Sequence, residues 1–238
     1  MKAIRLKLHQ DYTRFNAGKI MGNQQTYPLP SFSTVIGMIH TACNWNTYHP
    51  IDLFISGFGY QNSEIKRRWV GGGTSFGAIT PEMEKRWSVI VDDPAKPGMH
   101  KGWTQTMKFF DFLADFDMVC YILPDDPDDL SVIYSGLLTP SLYPALGEWE
   151  NICRIDEVSI VELQEYEEER SGDLFMQSWI PAEKAVKYYG TAYNLNRNYV
   201  IENGRRVFNK IRCKLLCSGQ AVLSRYYDGE YPVVFLDR

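Results

Sequence analysis

Hydrophobic and polar residues alternate over several short stretches of this chain. In residues 1–9, Ile4, Leu6 and Leu8 alternate with basic side chains, which predicts a strand with one buried face. Similar stretches, with less regular alternation, predict three more strands: 51–60, 110–123 and 152–163.

Helical spacing of apolar residues is found in two segments. In 31–44, Val35, Ile36 and Ile39 fall on one stripe, and Ser31 or Ser33 is expected to cap the first N–H groups through its hydroxyl. The prolines at 28 and 30 force an extended turn before this helix. A second helix is predicted over about 128–138, following an aspartate- and proline-rich strand stop.

The predicted order is therefore β-α-β-β-α-β, an α+β fold of ferredoxin-like type over residues 1–163. Residues 61–109 form an excursion too long for a hairpin loop, so we expect an insertion, called the thumb below. The acidic stretch 164–173 is predicted to be a linker. Residues 174–238 are predicted to form a small antiparallel β unit, with turns at Asn203-Gly204 and Asp228-Gly229.

The charge is segregated along the chain. The net charge of −4 divides into +6 for residues 1–110, −15 for 111–175 and +5 for 176–238. Such segregation favours an anion-binding face and an acidic face on one molecule, although acidic runs are often only solvated loops. The five cysteines are scattered and lack a second Cys or His pair, so we expect a reduced cytoplasmic protein without a metal or cofactor.

Basic and aromatic residues are paired twice within the thumb. Three cations precede a tryptophan at 66–69, and the pairing recurs at 85–87. Such pairs suit phosphate contact and base stacking, although a solvated charge cluster beside a core tryptophan is equally typical of this pattern. The three glycines at 71–73 precede no Gly-Lys-Ser/Thr, which disfavours nucleotide hydrolysis. The nucleic-acid candidates here are Lys66, Arg67, Arg68, Trp69, Lys85 and Arg86.

Three ordered motifs carry a resemblance to a known family. Residues 12–15 combine basic and aromatic side chains, and Tyr27 to Gly37 reads Tyr-Pro-Leu-Pro followed by the serine-rich helix start. Tyr143 to Gly147 forms a Leu-Gly loop, and a Tyr-Pro run closes the chain. Together these motifs resemble the fifth family of CRISPR-associated (Cas) proteins. The sequence as a whole is most similar to members from subtype I-B.

The resemblance implies a non-catalytic subunit that caps the 5′ handle of crRNA in a type I Cascade complex. It further implies that the thumb wedges between handle and guide, and that the protein bridges the backbone subunit and the large subunit. The handle-binding candidates are Arg14, Tyr27, Ser33 and Thr34. For Tyr27 packing on the proline turn, and for Ser33 helix capping, remain alternative roles.

Two other functions are kept open. One branch of the resembled family cleaves precursor RNA with a tyrosine and an adjacent Lys-His pair. Here Tyr27 and the reversed pair His100-Lys101 are the candidates for such a metal-independent endoribonuclease. The third possibility is a ferredoxin-like regulatory or interaction protein that does not bind RNA.

Overall fold

Strands dominate the computed structural model, which describes residues 1–20, 23–185, 187–203 and 205–237. The helices are α1 (Phe32–Ala42), α2 (Pro81–Arg86) and α3 (Asp129–Leu138). The strands are β1 (Lys2–Thr13), β2 (Asn16–Ile20), β3 (Asn23–Thr26), β4 (Ile51–Gly71), β5 (Val89–Asp92), β6 (His100–Pro124), β7 (Arg154–Glu162), β8 (Gln164–Asp173), β9 (Gln177–Pro181), β10 (Thr191–Glu202), β11 (Arg205–Leu216), β12 (Ala221–Asp228) and β13 (Tyr231–Val233).

The two long predicted helices and the four predicted strands are present as α1, α3, β1, β4, β6 and β7. Strands β4 and β6 are much longer than the sequence pattern predicted, at 21 and 25 residues. Both extend into the predicted thumb, which also holds α2 and β5. No helix among the described residues is long and apolar enough to cross a membrane.

The chain divides into two compact units. The larger unit contains residues 1–16, 26–62 and 112–238, and the smaller one contains 17–25 and 63–111. The predicted thumb therefore falls almost entirely in the smaller unit. In the larger unit the main sheet has the strand order β10-β11-β9-β4-β6-β1-β7.

The burial of strand β1, which lies between β6 and β7 in that sheet, is explained by its alternation. Strand β1 pairs antiparallel with β6 (Leu6↔Cys120) and with β7 (Leu6↔Val158). Ile4, Leu6 and Leu8 are all at most 1% exposed and belong to one hydrophobic core with the apolar stripe of α1. Burial of each such side chain contributes on the order of 1.5–3 kcal/mol to folding.

The C-terminal region departs from the prediction in two ways. Strands β9 to β11 extend the main sheet instead of forming a separate unit, and β9 joins β4 at Ser56↔Ser178, whose hydroxyls lie 2.7 Å apart. The predicted linker 164–173 is strand β8, paired with β12 in a three-stranded sheet of order β13-β12-β8. Strand β8 is an edge strand rich in glutamate. Exposed edge strands are often charged, so their sequences resemble those of linkers, which explains the wrong prediction.

The two predicted turns in this region have different outcomes. Asp228 pairs with Tyr231, and Gly229 adopts a positive φ of 62°, so the β12–β13 hairpin is confirmed. Strands β10 and β11 pair up to Glu202↔Arg205, but Gly204 of the predicted turn lies outside the described residues.

A cation pair from β1 holds one carboxylate of β7. Glu157 accepts hydrogen bonds at 2.7 Å from Lys7 Nζ, Ser159 Oγ and Arg5 Nη2. The pKa of Glu157 is lowered from 4.5 to about 2 by these hydrogen bonds. The bond from Lys7 has the largest effect, followed by those from Ser159 and Arg5.

We predict an acid-dependent loss of stability from this group. The lowered pKa means that its contribution is complete above the unfolded pKa near 4.5 and is lost as the pH falls towards 2. The urea midpoint of wild type should therefore drop more between pH 6 and pH 3 than that of Glu157→Gln. Equal drops in the two proteins would contradict the assignment.

Candidate nucleic-acid interface

The proline turn before α1 is fixed from both sides within the larger unit. The backbone N–H of Tyr27 donates to the Phe15 carbonyl at 2.7 Å. From β9, the fully buried Trp179 donates its indole Nε1–H to the Pro30 carbonyl at 2.9 Å. The Tyr27 ring lies edge-on to Tyr193 with centroids 5.8 Å apart, so packing is an observed role of this candidate.

The start of α1 differs from the predicted cap. Ser31 is the N-cap residue, but its hydroxyl makes no capping bond to a backbone N–H among the described residues. It lies instead 2.9 Å from the Thr34 hydroxyl and 3.2 Å from that of Ser33, while its carbonyl accepts from the Thr34 N–H. The serine and threonine side chains thus bond to each other at the helix start.

The Leu-Gly loop is tied to the end of β1 by buried polar side chains. The amide of Gln10 donates to the carbonyls of Leu146 and Asn151 at 3.0 and 2.9 Å. Thr13 Oγ1 donates to the Leu146 carbonyl at 3.0 Å. Buried polar groups require such partners, so these bonds fix the loop on the sheet.

Arg14 belongs to the same anchor. Its side chain is 3% exposed, and Nη1 lies 2.7 Å from Glu148 Oε1. A guanidinium buried in this way orders the loop and is not presented to solvent, so direct RNA contact, as the resemblance implied, is not its observed role. Removing the partly exposed Glu148 would leave the buried guanidinium without this carboxylate, which is costly.

Gly147 is where this loop depends on glycine. Its φ is +106°, and a Cβ would lie 2.7 Å from the Arg14 carbonyl oxygen. We predict that Gly147→Ala lowers the free energy of unfolding by roughly 2–3 kcal/mol, through strain and displacement of that contact.

The matched control for this prediction is Gly219→Ala. Gly219 also has a positive φ, +76°, but its Cβ position is open within 4 Å. Urea unfolding should show a clearly smaller loss for this variant, on the order of 1 kcal/mol. Equal losses would mean that the contact with Arg14 has no part in the effect.

A cleft of about 750 Å³ opens beside α1 and the anchored loop. Its lining joins Ser33 and Thr34 of the helix start with side chains from the loop and from strands β10 and β11. Two aromatic side chains are strongly exposed at the cleft: Tyr143 of the loop at 74%, and Trp149, two residues after the loop, at 89%. Exposed aromatic rings beside a helix N-terminus offer stacking surfaces and phosphate-binding N–H groups together.

Strands β10 and β11 supply a further part of the cleft lining. The Arg206 guanidinium lies 4.7 Å from the centroid of the Tyr199 ring, and the Phe208 ring packs on Tyr199 at 6.1 Å. All three residues line the cleft. This part of the lining therefore presents a cation in contact with an aromatic ring.

The thumb residues fall on two faces of strand β4. Lys66 Nζ and the Arg68 guanidinium lie 5.7 and 4.9 Å from the Phe110 ring centroid, so both point to the same side. Because side chains alternate along a strand, Arg67 and Trp69 point to the other side. The predicted basic-aromatic cluster is thus divided.

Lys85 and Arg86 form the last turn of the short helix α2, capped by Thr80. The Arg86 guanidinium lies 4.9 Å from the Trp87 ring, and that ring occupies the space where a Cβ on Gly102 would be. Cations and aromatic rings are adjacent here, as predicted, with both cations exposed.

His100 and Lys101 are neighbours on strand β6 and therefore point to opposite faces. His100 Nδ1 lies 3.0 Å from Asp92, while Lys101 Nζ lies 3.1 Å from the buried Asp93. Bonds from Ser75, Ala95 and Lys101 lower the pKa of Asp93 to about 2. Each member of the predicted catalytic pair thus has its own carboxylate partner.

Several cleft residues were missed in the sequence. Trp149 lies two residues after the Leu-Gly motif, but a single tryptophan between two glutamates gives no binding signal. Tyr199, Arg206 and Phe208 repeat the basic-aromatic pattern of the thumb, and that repetition was the signal available in the sequence.

Comparisons with known proteins point to the fold. No protein-family model matches the chain, and no curated protein sequence matches it significantly. A chain of a structure described as a CRISPR RNA-guided surveillance complex is 16% identical with a TM-score of 0.53, over 92% of this chain and 91% of that one. This similarity shows a shared fold.

Two further solved structures are more distant. A CRISPR protein from Archaeoglobus fulgidus is 11% identical with a TM-score of 0.49, over 99% of this chain and 98% of that one. A chain of a Type III-B Cmr-beta complex bound to cognate target RNA is 13% identical with a TM-score of 0.47, over 92% and 86% of the two chains.

Proposed function

We propose that this chain is an RNA-binding subunit of a CRISPR RNA-guided complex, a type I Cascade of I-B-like kind, and that it caps the 5′ handle of crRNA. The observation that carries the proposal is the cleft, which combines a helix N-terminus, exposed aromatic rings and a cation on one surface. The fold shared with a chain of an RNA-guided surveillance complex supports it.

A ferredoxin-like core is part of the proposal. The four strands predicted from the sequence lie in the order β4-β6-β1-β7, with β1 antiparallel to β6 and to β7. This order and these directions are those of a split βαβ arrangement, and they support the assignment.

In the cleft, a single-stranded RNA segment would be held through its backbone and its unstacked bases. The N-terminus of α1, an 11-residue helix, favours a phosphate near Thr34. Trp149 and Tyr143 offer ring faces to successive bases, and Arg206 offers a guanidinium. Stacking and phosphate contacts tolerate many sequences, so target specificity would come from base pairing by the guide.

We propose that binding occurs without cleavage. Metal-independent cleavage needs a base and a cation on one phosphate. The opposed directions and separate carboxylate partners of His100 and Lys101 favour structural roles for both. Joining the backbone subunit to the large subunit of the complex is the remaining part of the proposed role.

The test uses the purified full chain with labelled RNA carrying its cognate repeat followed by spacer sequence, without metal and over a salt series. We expect a shift of intact RNA that weakens as salt rises, because phosphate contacts release counterions. A chain that shifts no RNA, alone or with the backbone and large subunits present, would refute the proposal. Discrete cleavage within the repeat, abolished by His100→Ala, would replace capping with endoribonuclease activity.

A further inference from the structure

The thumb has one bare apolar face. On β4, Ile65 and Trp69 flank Arg67 and share its direction, and they are 57% and 51% exposed. On the hydrogen-bonded neighbour β6, Met107 and Phe109 alternate with the buried Phe110 and are 62% and 48% exposed. These five residues, Ile65, Arg67, Trp69, Met107 and Phe109, are called the thumb apolar face.

The other side of the same two strands differs in chemistry. It carries Lys66, Arg68 and Lys108, with the two former cations over the Phe110 ring. Phe110 is 3% exposed and pairs with Gln24 of β3, so this side has a covered centre. Strand alternation thus separates a cationic side from an apolar one across a single layer of backbone.

Four large apolar side chains that are about half exposed or more on one sheet face mark an interaction site, because surfaces of monomeric proteins rarely leave such patches contiguous. A nucleic acid is the less suitable occupant. The aliphatic side chains of Ile65 and Met107 offer no ring for base stacking, and only one of the four thumb-strand cations named here lies on this face.

Arg67 defines the chemistry of the occupant. Within the part of the chain that the structure describes, it forms no ion pair, and the other four residues of the thumb apolar face, along β4 and across on β6, are its neighbours on this side of the sheet. A guanidinium covered on association needs a carboxylate, which forms a strong charge-assisted pair with it. The complementary surface is therefore apolar with an acidic residue near its centre.

We infer that the thumb apolar face docks on a protein surface of that chemistry, carried by another subunit of the same ribonucleoprotein, while the cationic side faces the RNA. The identity of the partner as a subunit of that complex rests on the proposed function. The division of the thumb into a protein side and an RNA side follows from the alternation on β4 and β6.

The test is site-specific photo-crosslinking in the assembled complex, purified from its native host through a tag on this chain. p-Benzoylphenylalanine replaces Met107 in one variant and Lys108 in the other, which places the probe on opposite faces one residue apart. We expect Met107→p-benzoylphenylalanine to give one discrete adduct with a second polypeptide. The adduct should be lost when Arg67→Glu is added, and Lys108→p-benzoylphenylalanine should not form it.

Three results would overturn the inference: an adduct of the position-107 probe with RNA, an adduct with a second copy of this chain, or no adduct. A protein adduct at position 108 equal to that at 107 would also overturn it. Absence of RNA from the purified complex would instead count against the proposed function, because the protein adduct at position 107 does not depend on RNA detection. The two failures are therefore distinguishable.

Discussion

Replacing Trp179 with alanine should destabilise the protein more than any other single change considered. Its side chain is fully buried, lies 5.0 Å from the Tyr193 ring edge-on, and donates to the Pro30 carbonyl. Loss of a buried tryptophan leaves a cavity and costs about 3–5 kcal/mol. For a chain of 238 residues this corresponds to a fall in Tm of roughly 6–20 °C.

Two further variants separate packing from the hydrogen bond. Trp179→Phe retains much of the ring volume but leaves the buried Pro30 carbonyl without its donor, so about 1–3 kcal/mol should be lost. Tyr189→Ala removes a side chain that is 92% exposed and should leave Tm unchanged. A loss below 1 kcal/mol for Trp179→Ala, measured by urea unfolding, would show that the proline turn does not depend on β9.

The second large effect concerns RNA affinity. Removing both Trp149 and Arg206 takes a stacking face and a cation from the lining of the cleft. Stacking contributes about 1–3 kcal/mol per base, and we expect the double variant Trp149→Ala, Arg206→Ala to lose about 2–4 kcal/mol. The Kd for the repeat-containing RNA should therefore rise roughly 30- to 700-fold, measured by titration at fixed salt.

The matched control is Tyr189→Ala, Arg205→Ala, which removes one exposed aromatic ring and one guanidinium outside the lining of the cleft. Arg205 precedes Arg206 on β11 and points to the opposite face. The control variant loses one positive charge, as the cleft variant does, but no residue of the cleft lining. We therefore expect the control to change Kd only a few-fold. Equal losses in the two double variants would show that overall charge, and not the cleft, governs binding.

Local periodicity predicted the parts of the fold that bury a regular face. The apolar stripe of α1, with Val35, Ile36 and Ile39 at most 2% exposed, fits its predicted segment. Strand β1 is found where the alternation of Ile4, Leu6 and Leu8 placed it. These segments are predictable because burial of one face imposes a period on the sequence itself.

Pairing between segments that are distant in the sequence imposes no such period, and these pairings were not predicted. Strand β8 is exposed and acidic, so its sequence has no apolar alternation. It is identified as a strand only by its antiparallel pairing with β12. Strand β9 pairs with β4 over a short segment that includes Ser56↔Ser178. The hydrophobic and polar pattern of neither segment predicts this pairing.

The candidate site was only partly predictable for the same reason. The motifs around Ser33 and Tyr143 lead to the cleft, since both residues line it. Arginine is a common phosphate ligand, so Arg14 was a reasonable candidate. Its burial and its pairing with Glu148 arise from tertiary contacts, which the sequence pattern does not predict. The division of Arg67 from Lys66 and Arg68 follows from strand alternation, once 66–69 is known to be a strand.

The most direct test of the central claim is to identify which peptide contacts the 5′ segment of the RNA. The assembled complex would carry 4-thiouridine either in the repeat-derived 5′ segment or in the distal spacer, and adducts on this chain would be mapped by mass spectrometry after irradiation. We expect adducts from the 5′ segment on the peptides containing Trp149 or Phe208, and none there from the distal spacer. Adducts from the 5′ segment confined to other surfaces, such as the acidic strand β8, would contradict it.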